Sequence, residues 1–217
     1  IEKMYSHPFS ITRPDFGNVD LNDGGWSELT HLAEKAHELF PEREDYEFFA
    51  SKGEAGTEPD PASMYFPNAG QYVFRTGWGT EQKYLFFGAG PWGASHGKHD
   101  ALNIFTQFGN HLLIRDAGRG SYSGIGNTIH AGRSLSFNTL SPDWAQENSI
   151  PHWKQVMHRG FGPPTRRLVS YERFDYGEGT FEYGWHRPGE HIQVKWVRQL
   201  IFLKGEQPAR DGYYLVI

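Results

Sequence analysis

The sequence has no cysteine among its 217 residues. That excludes a disulfide framework, a thiolate metal site and a cysteine nucleophile within these residues. It leaves the compartment open, because exported bacterial proteins often lack cysteine too. A basic excess is also missing. Lys and Arg number 21 against 26 Asp and Glu, a formal charge of −5, whereas a dedicated nucleic-acid binder shows clustered positive charge. No apolar run approaches the ~20 residues that a membrane-spanning helix needs. From Ile1 onward there is no initiator methionine and no basic-then-apolar leader. Tyr213-Tyr214-Leu215-Val216-Ile217 reads as a strand without a polar tail, and the expectation is a fragment of a longer protein.

Aromatic residues are abundant, with 16 Phe, 11 Tyr and 7 Trp, alongside 26 Gly and 13 Pro. Leu29, Leu32, Ala33, Ala36 and Leu39 recur at helical spacing, which predicts an amphipathic helix with Ser27 as N-cap and a stop at Pro41. A second short helix is expected over Asp45–Ala50, and 53–61 reads as a loop. From Met64 the pattern turns to β. Gln71–Arg75, Lys83–Phe87, Leu102–Phe108, His111–Ile114, Arg167–Tyr171, Thr180–Trp185, Ile192–Leu203 and Tyr213–Ile217 are strand-like, and Gly109-Asn110 is a hairpin signal. Many strands with short turns imply antiparallel sheets, not a βαβ fold.

Polar chemistry is densest at Ser95-His96-Gly97-Lys98-His99-Asp100, directly before the apolar Ala101-Leu102-Asn103-Ile104-Phe105. In an extended segment His96, Lys98 and Asp100 share one face and His99 takes the other. Asp116 follows at the end of Leu112-Leu113-Ile114-Arg115. Most histidines in any chain are surface or simply hydrogen-bonded residues, but two His, a Lys and an Asp within five positions are a less ordinary pattern.

Several stretches resemble the heparinase II/III-like family of polysaccharide lyases. They are Tyr65-Phe66-Pro67-Asn68-Ala69-Gly70-Gln71-Tyr72-Val73-Phe74-Arg75-Thr76-Gly77-Trp78, then Tyr84-Leu85-Phe86-Phe87-Gly88-Ala89-Gly90-Pro91-Trp92-Gly93 leading into His96–Asp100. They continue with Leu112–Gly118, Ser136-Phe137-Asn138-Thr139-Leu140, Phe174–Gly179 and Val197–Phe202, so the similarity runs in order over about residues 20 to 217. The resemblance implies a mainly β fold: a layered, supersandwich-like antiparallel β-sheet domain over 61–217, truncated at its C-terminus. Residues 1–60 would be the last helices of an α/α-toroid domain plus a linker, and the rest of the toroid would be missing. The implied reaction is β-elimination on uronic-acid polysaccharides of glycosaminoglycan, alginate or ulvan type. A Tyr, often with a His, takes the C5 proton and protonates the leaving O4, while a positive group neutralises the C5 carboxylate. The toroid usually supplies the Tyr with an Asn or His, so this chain alone is expected to be inactive.

Carried over by motif, His96 takes the first position of the family's His-x-His-x-Asp pattern and Asp100 the last, with Lys98 where a metal-ligating His would stand. Asp116 matches a metal-binding Asp, and Phe137 replaces the His of His-Asn-Thr. Two of three ligand positions therefore hold residues unable to bind zinc, since a charged ammonium and a phenyl ring offer no lone pair. The expectation is no zinc, with Lys98 paired to Asp116. The alternative is a shifted zinc site using His99 or His130. His96 and Tyr122 are the candidates for chemistry, and Lys98, His99, Arg119 and Arg133 for binding acidic sugar; Arg115, a further candidate, is read as mainly structural. Trp78, Trp92, Trp144, Trp153, Trp185 and Trp196 are assigned chiefly to the sheet core. An acidic polysaccharide is the expected partner, without nucleic acid or membrane, and a periplasmic or secreted location follows from the resemblance. Two other readings stay open: a carbohydrate-binding or structural module that has lost activity, and a uronate C5-epimerase.

Overall fold

The computed structural model describes residues 1–21, 24–60, 63–90, 100–116, 136–139, 168–187 and 190–217. Three helices precede the sheets: α1 (Glu2–Ser10), α2 (Thr30–Leu39) and α3 (Glu44–Ala50). Sequence reading finds α2 and α3 but not α1, whose Pro8, two serines and His7 are poor helix formers. Tertiary packing overrides that preference. Phe9 stacks on Phe49 with ring centroids 5.1 Å apart and meets Tyr46 edge-on at 5.4 Å, which buries it almost completely. Ser27 does not cap α2. Leu29 takes the N-cap position, and the amide of Ser27 donates to the side chain of Asn18 instead.

Strands β1 (Met64–Phe66), β2 (Gln71–Arg75), β3 (Lys83–Gly88), β4 (Asn103–Phe108) and β5 (His111–Ile114) form one antiparallel meander in chain order. A second meander holds β6 (Val169–Ser170), β7 (Phe174–Arg187), β8 (Glu190–Leu203) and β9 (Tyr213–Val216), with a short helix α4 (Pro208–Asp211) before β9. The fold is mainly antiparallel β, as the sequence implies.

The central strands β2, β3 and β4 of the first sheet are buried on both faces, which explains their apolar runs. Tyr72, Phe74, Leu85, Phe87 and Ile104 face the second sheet and pack with Leu200 and Phe202. Val73, Tyr84, Phe86 and Phe105 face the other way, onto Val19, Ile11 and Leu21 of the N-terminal segment. Burial of each aromatic is worth about 2–3 kcal/mol. Arg75 seals that second interface. Its guanidinium lies 3.7 Å from the Trp78 ring centroid and 5.2 Å from that of Tyr84, and it donates to the carbonyl of Ser10 at 2.6 Å. Burial pulls the Arg75 guanidinium down to about 10.

Candidate functional site

The site begins where β4 and β5 part. Their register shifts between Thr106 and Gln107, and the paired ladder ends at Thr106 and Ile114. Backbone groups beyond that point need other partners, and the Phe137-Asn138-Thr139 turn supplies them. Asn138 Nδ2 donates to the Ile104 carbonyl at 3.1 Å and to the Arg115 carbonyl at 2.9 Å, bridging the gap between the two strands. The Asn138 amide donates to Asn103 Oδ1 at 2.9 Å, and Thr139 Oγ1 donates to the Ala101 carbonyl. From the second sheet, Arg198 donates to the carbonyls of Leu102 and Asn138. Burial lowers the Arg198 pKa below its ordinary value.

Asp116 lies inside this scaffold, 1% exposed, with its Oδ2 3.5 Å from Asn103 Nδ2. Leu102, just after the His96–Asp100 stretch, has a left-handed backbone (φ 59°) although it carries a branched, buried side chain. Such a residue costs on the order of 1–2 kcal/mol and persists only where its surroundings fix it. Here the Arg198 guanidinium holds its carbonyl.

Asn103 links Asp116 to the 136–139 turn, since it accepts from the Asn138 amide and its Nδ2 lies 3.5 Å from Asp116 Oδ2. Phe137 is buried beside the Asn138 bridge and carries no donor atom. Zinc therefore does not fit the ligand positions implied by resemblance, because Asp116 alone among the described ones can ligate. Among the described residues no group of three His, Cys, Asp or Glu side chains is placed to hold a metal ion. His96, Lys98, His99, Arg119, Tyr122, His130 and Arg133 lie outside the described residues, as do Trp92, Trp144 and Trp153. Trp78 is buried, but in the helical cluster against Phe48 and Phe49 and not in the sheet core, and Trp196 is half-buried against Phe181 with ring centroids 4.4 Å apart.

Two scaffold residues carry no sequence signature. Asn103 is a lone polar residue in an apolar run, and Arg198 sits in an ordinary strand pattern. Arg115 and Asp116 follow the end of β5, and where Asp116 is buried Arg115 is exposed. Its side chain is 58% exposed, its Nε donates to the Asp116 carbonyl at 3.2 Å, and its guanidinium approaches Asp20 Oδ2 at 3.9 Å.

No family model matches the sequence. The chain is similar to a heparin-sulfate lyase of Bacteroides stercoris, with 26% identity over 132 residues, covering 59% of this chain and 20% of the relative. A heparin-sulfate lyase of Pedobacter heparinus is 30% identical over 130 residues, covering 57% of this chain and 19% of the relative. The chain thus spans about a fifth of the length of both relatives. Among solved structures, a heparinase III with methylated lysines superposes with a TM-score of 0.71 at 21% identity, over 99% of this chain and 31% of that one. The heparan sulfate lyase HepC of Pedobacter heparinus gives 0.65 at 19% identity, with the same coverage. The chain is similar in sequence to heparin-sulfate lyases over some 130 residues and similar in fold to heparinase III structures.

Proposed function

We propose that this chain is the β-sheet portion of a lyase that cleaves an acidic, glycosaminoglycan-type polysaccharide by β-elimination. The observation that carries the reading is the similarity to two heparin-sulfate lyases, joined to a shared fold over nearly the whole chain. In the reaction a base removes the proton at C5 of the uronate, electron density moves into the C4–C5 bond, and the C4–O4 bond breaks with protonation of the leaving oxygen. No water is consumed. A cation near the C5 carboxylate lowers the cost of the carbanion-like transition state.

Within this chain, His96 is proposed to face the substrate and assist proton transfer or hold the sugar, and Tyr122 is a second candidate for contact. Lys98, His99, Arg119 and Arg133 would supply positive or hydrogen-bonding groups to the polyanion. The scaffold of Asn103, Asp116, Asn138 and Arg198 holds the backbone at Leu102, just after the 96–100 cluster. Zinc takes no part in the proposal, since Phe137 replaces one ligand and Lys98 another.

The test is to incubate the full-length polypeptide with heparan sulfate, heparin, chondroitin, alginate and ulvan and follow the ultraviolet absorbance of the new double bond. Absorbance is expected to rise on a glycosaminoglycan, and His96→Ala should lower kcat about 100-fold or more, the usual scale for loss of a general acid or base. Binding without absorbance on any polymer would instead mark a carbohydrate-binding module. Exchange of the C5 proton with solvent, without a double bond, would mark an epimerase.

A further inference from the structure

Residues 100–103 form a tight turn at the entry to β4. The Asn103 amide donates to the Asp100 carbonyl at 3.0 Å, and Leu102, the third residue of the turn, has a φ of 59°. A positive φ at that place is what glycine or asparagine supplies in a type II turn. Leucine stands there because the core uses its side chain, which is 2% exposed and clusters with Phe87, Ala89, Leu200 and Phe202. The turn thus joins a filled core position to a backbone shape that leucine disfavours. Such a shape persists only where neighbouring groups hold it.

The bonds that hold it come from two other parts of the fold. Thr139 Oγ1 donates to the Ala101 carbonyl. Arg198, on β8 in the second sheet, donates to the Leu102 carbonyl through Nη1, and the same nitrogen donates to the Asn138 carbonyl. One guanidinium therefore ties the 100–103 turn to the 136–139 turn, whose Asn138 side chain holds the Arg115 carbonyl next to Asp116. Arg198 is half-buried, and desolvation lowers its pKa. It nevertheless enters none of the ion pairs among the described residues. A desolvated guanidinium is ordinarily offset by a carboxylate. This one is directed at backbone carbonyls instead, with the added strength of charge-assisted bonds.

We propose that Arg198 is a positioning residue for the β-elimination: it holds the 100–103 turn in the shape from which the chain continues into His99, Lys98 and His96, and it acts on the chemical step without touching the sugar. The inference rests on the lyase reading above and adds to it a residue of the second sheet. A reacting group displaced by about 1 Å can cost about 100-fold in rate. Binding of a polyanion is shared among several cations and is far less sensitive to the placement of any one of them.

Arg198→Met keeps most of the volume and removes every donor, whereas Arg198→Lys keeps a charged donor. In the full-length polypeptide acting on heparan sulfate, Arg198→Met should lower kcat about 10- to 100-fold with KM within about twofold of wild type. Arg198→Lys should recover part of that loss, and it carries the same comparison where circular dichroism shows that Arg198→Met does not fold. A purely structural residue would lower the urea midpoint and leave kcat of the folded variant intact, and that result would overturn the proposal. So would a loss confined to KM, which would mark Arg198 as a sugar contact. Hydrogen exchange read by mass spectrometry supplies a measure independent of activity. Peptides covering 100–103 should exchange faster in Arg198→Met while β2 and β3 keep their wild-type protection, and unchanged exchange at the turn would also overturn the proposal. Faster exchange there, in a polypeptide whose wild type forms no double bond on any polymer, would leave the support of the turn standing and remove the lyase reading. Double-bond formation at wild-type kcat in folded Arg198→Met would do the reverse.

Discussion

Phe137 says more about the chemistry of this chain than any other described residue. It stands next to Asn138, whose side chain spans the gap between the strands that lead to Asp116. A histidine at that position would offer a nitrogen lone pair, but a phenyl ring brings only volume. The expected outcome is that the purified full-length polypeptide, measured by elemental analysis, holds far less than one zinc per chain, and that Asp116→Ala leaves the zinc content unchanged. Stoichiometric zinc that disappears in Asp116→Ala would overturn this and favour a site completed by His99 or His130. Asp116 and Phe137 were singled out by the family resemblance, each by its place in one of the matching motifs. Asn103 was not, because an asparagine's partners are set by which backbone groups the fold leaves unpaired, and spacing carries no trace of that.

At the scale of elements, the two sheets approach each other most closely through glycine. β7 runs for 14 residues, yet its residue pattern alone predicts a strand over Thr180–Trp185, and Phe174–Gly179 enters only through the family resemblance. Gly177 and Gly179 interrupt the expected pattern, since glycine weakens a strand interior and offers nothing to pack. Here the missing side chains are what the packing requires. A Cβ on Gly177 would lie 2.8 Å from the Phe74 ring, and one on Gly179 would lie 2.5 Å from both Ala89 Cβ and Leu102 Cδ2. Gly179→Ala should therefore destabilise the protein by about 1–3 kcal/mol through overpacking. Urea unfolding checks this, and a midpoint equal to that of the parent would show that the sheets separate more easily than these contacts imply. β2, β3 and β4 match the expected strands to within a residue because burial on two faces leaves dense apolar runs. The helix α1 was missed because its stability comes from Phe9 against Tyr46 and Phe49, contacts 37 and 40 residues along the chain that no local pattern announces.

The described residues stack in three layers held together by tyrosines as well as by apolar contact. Tyr84 donates its hydroxyl to the Ile11 carbonyl at 2.7 Å, joining the first sheet to the N-terminal segment. Tyr72 donates to the Glu178 carbonyl at 2.9 Å, and Tyr214 to the Phe74 carbonyl at 3.3 Å, so the two sheets exchange one such bond in each direction. Burial raises all three phenols well above the ordinary tyrosine range; Tyr65 adds to the rise at Tyr72, and Arg75 partly opposes it at Tyr84 and Tyr214. A group whose folded pKa lies above its unfolded value contributes stability that is fully present below the unfolded pKa and lost as pH climbs above it. For tyrosine that window opens near pH ~10. Ionising a phenol also turns each donor into an anion facing a carbonyl, so the layers should part together. An alkaline titration followed by phenolate absorbance should show these three among the 11 tyrosines ionising late and in one step with the loss of β-sheet circular dichroism. Smooth titration of every tyrosine near the ordinary value, with the sheet signal intact, would show that the phenols reach solvent without the layers separating.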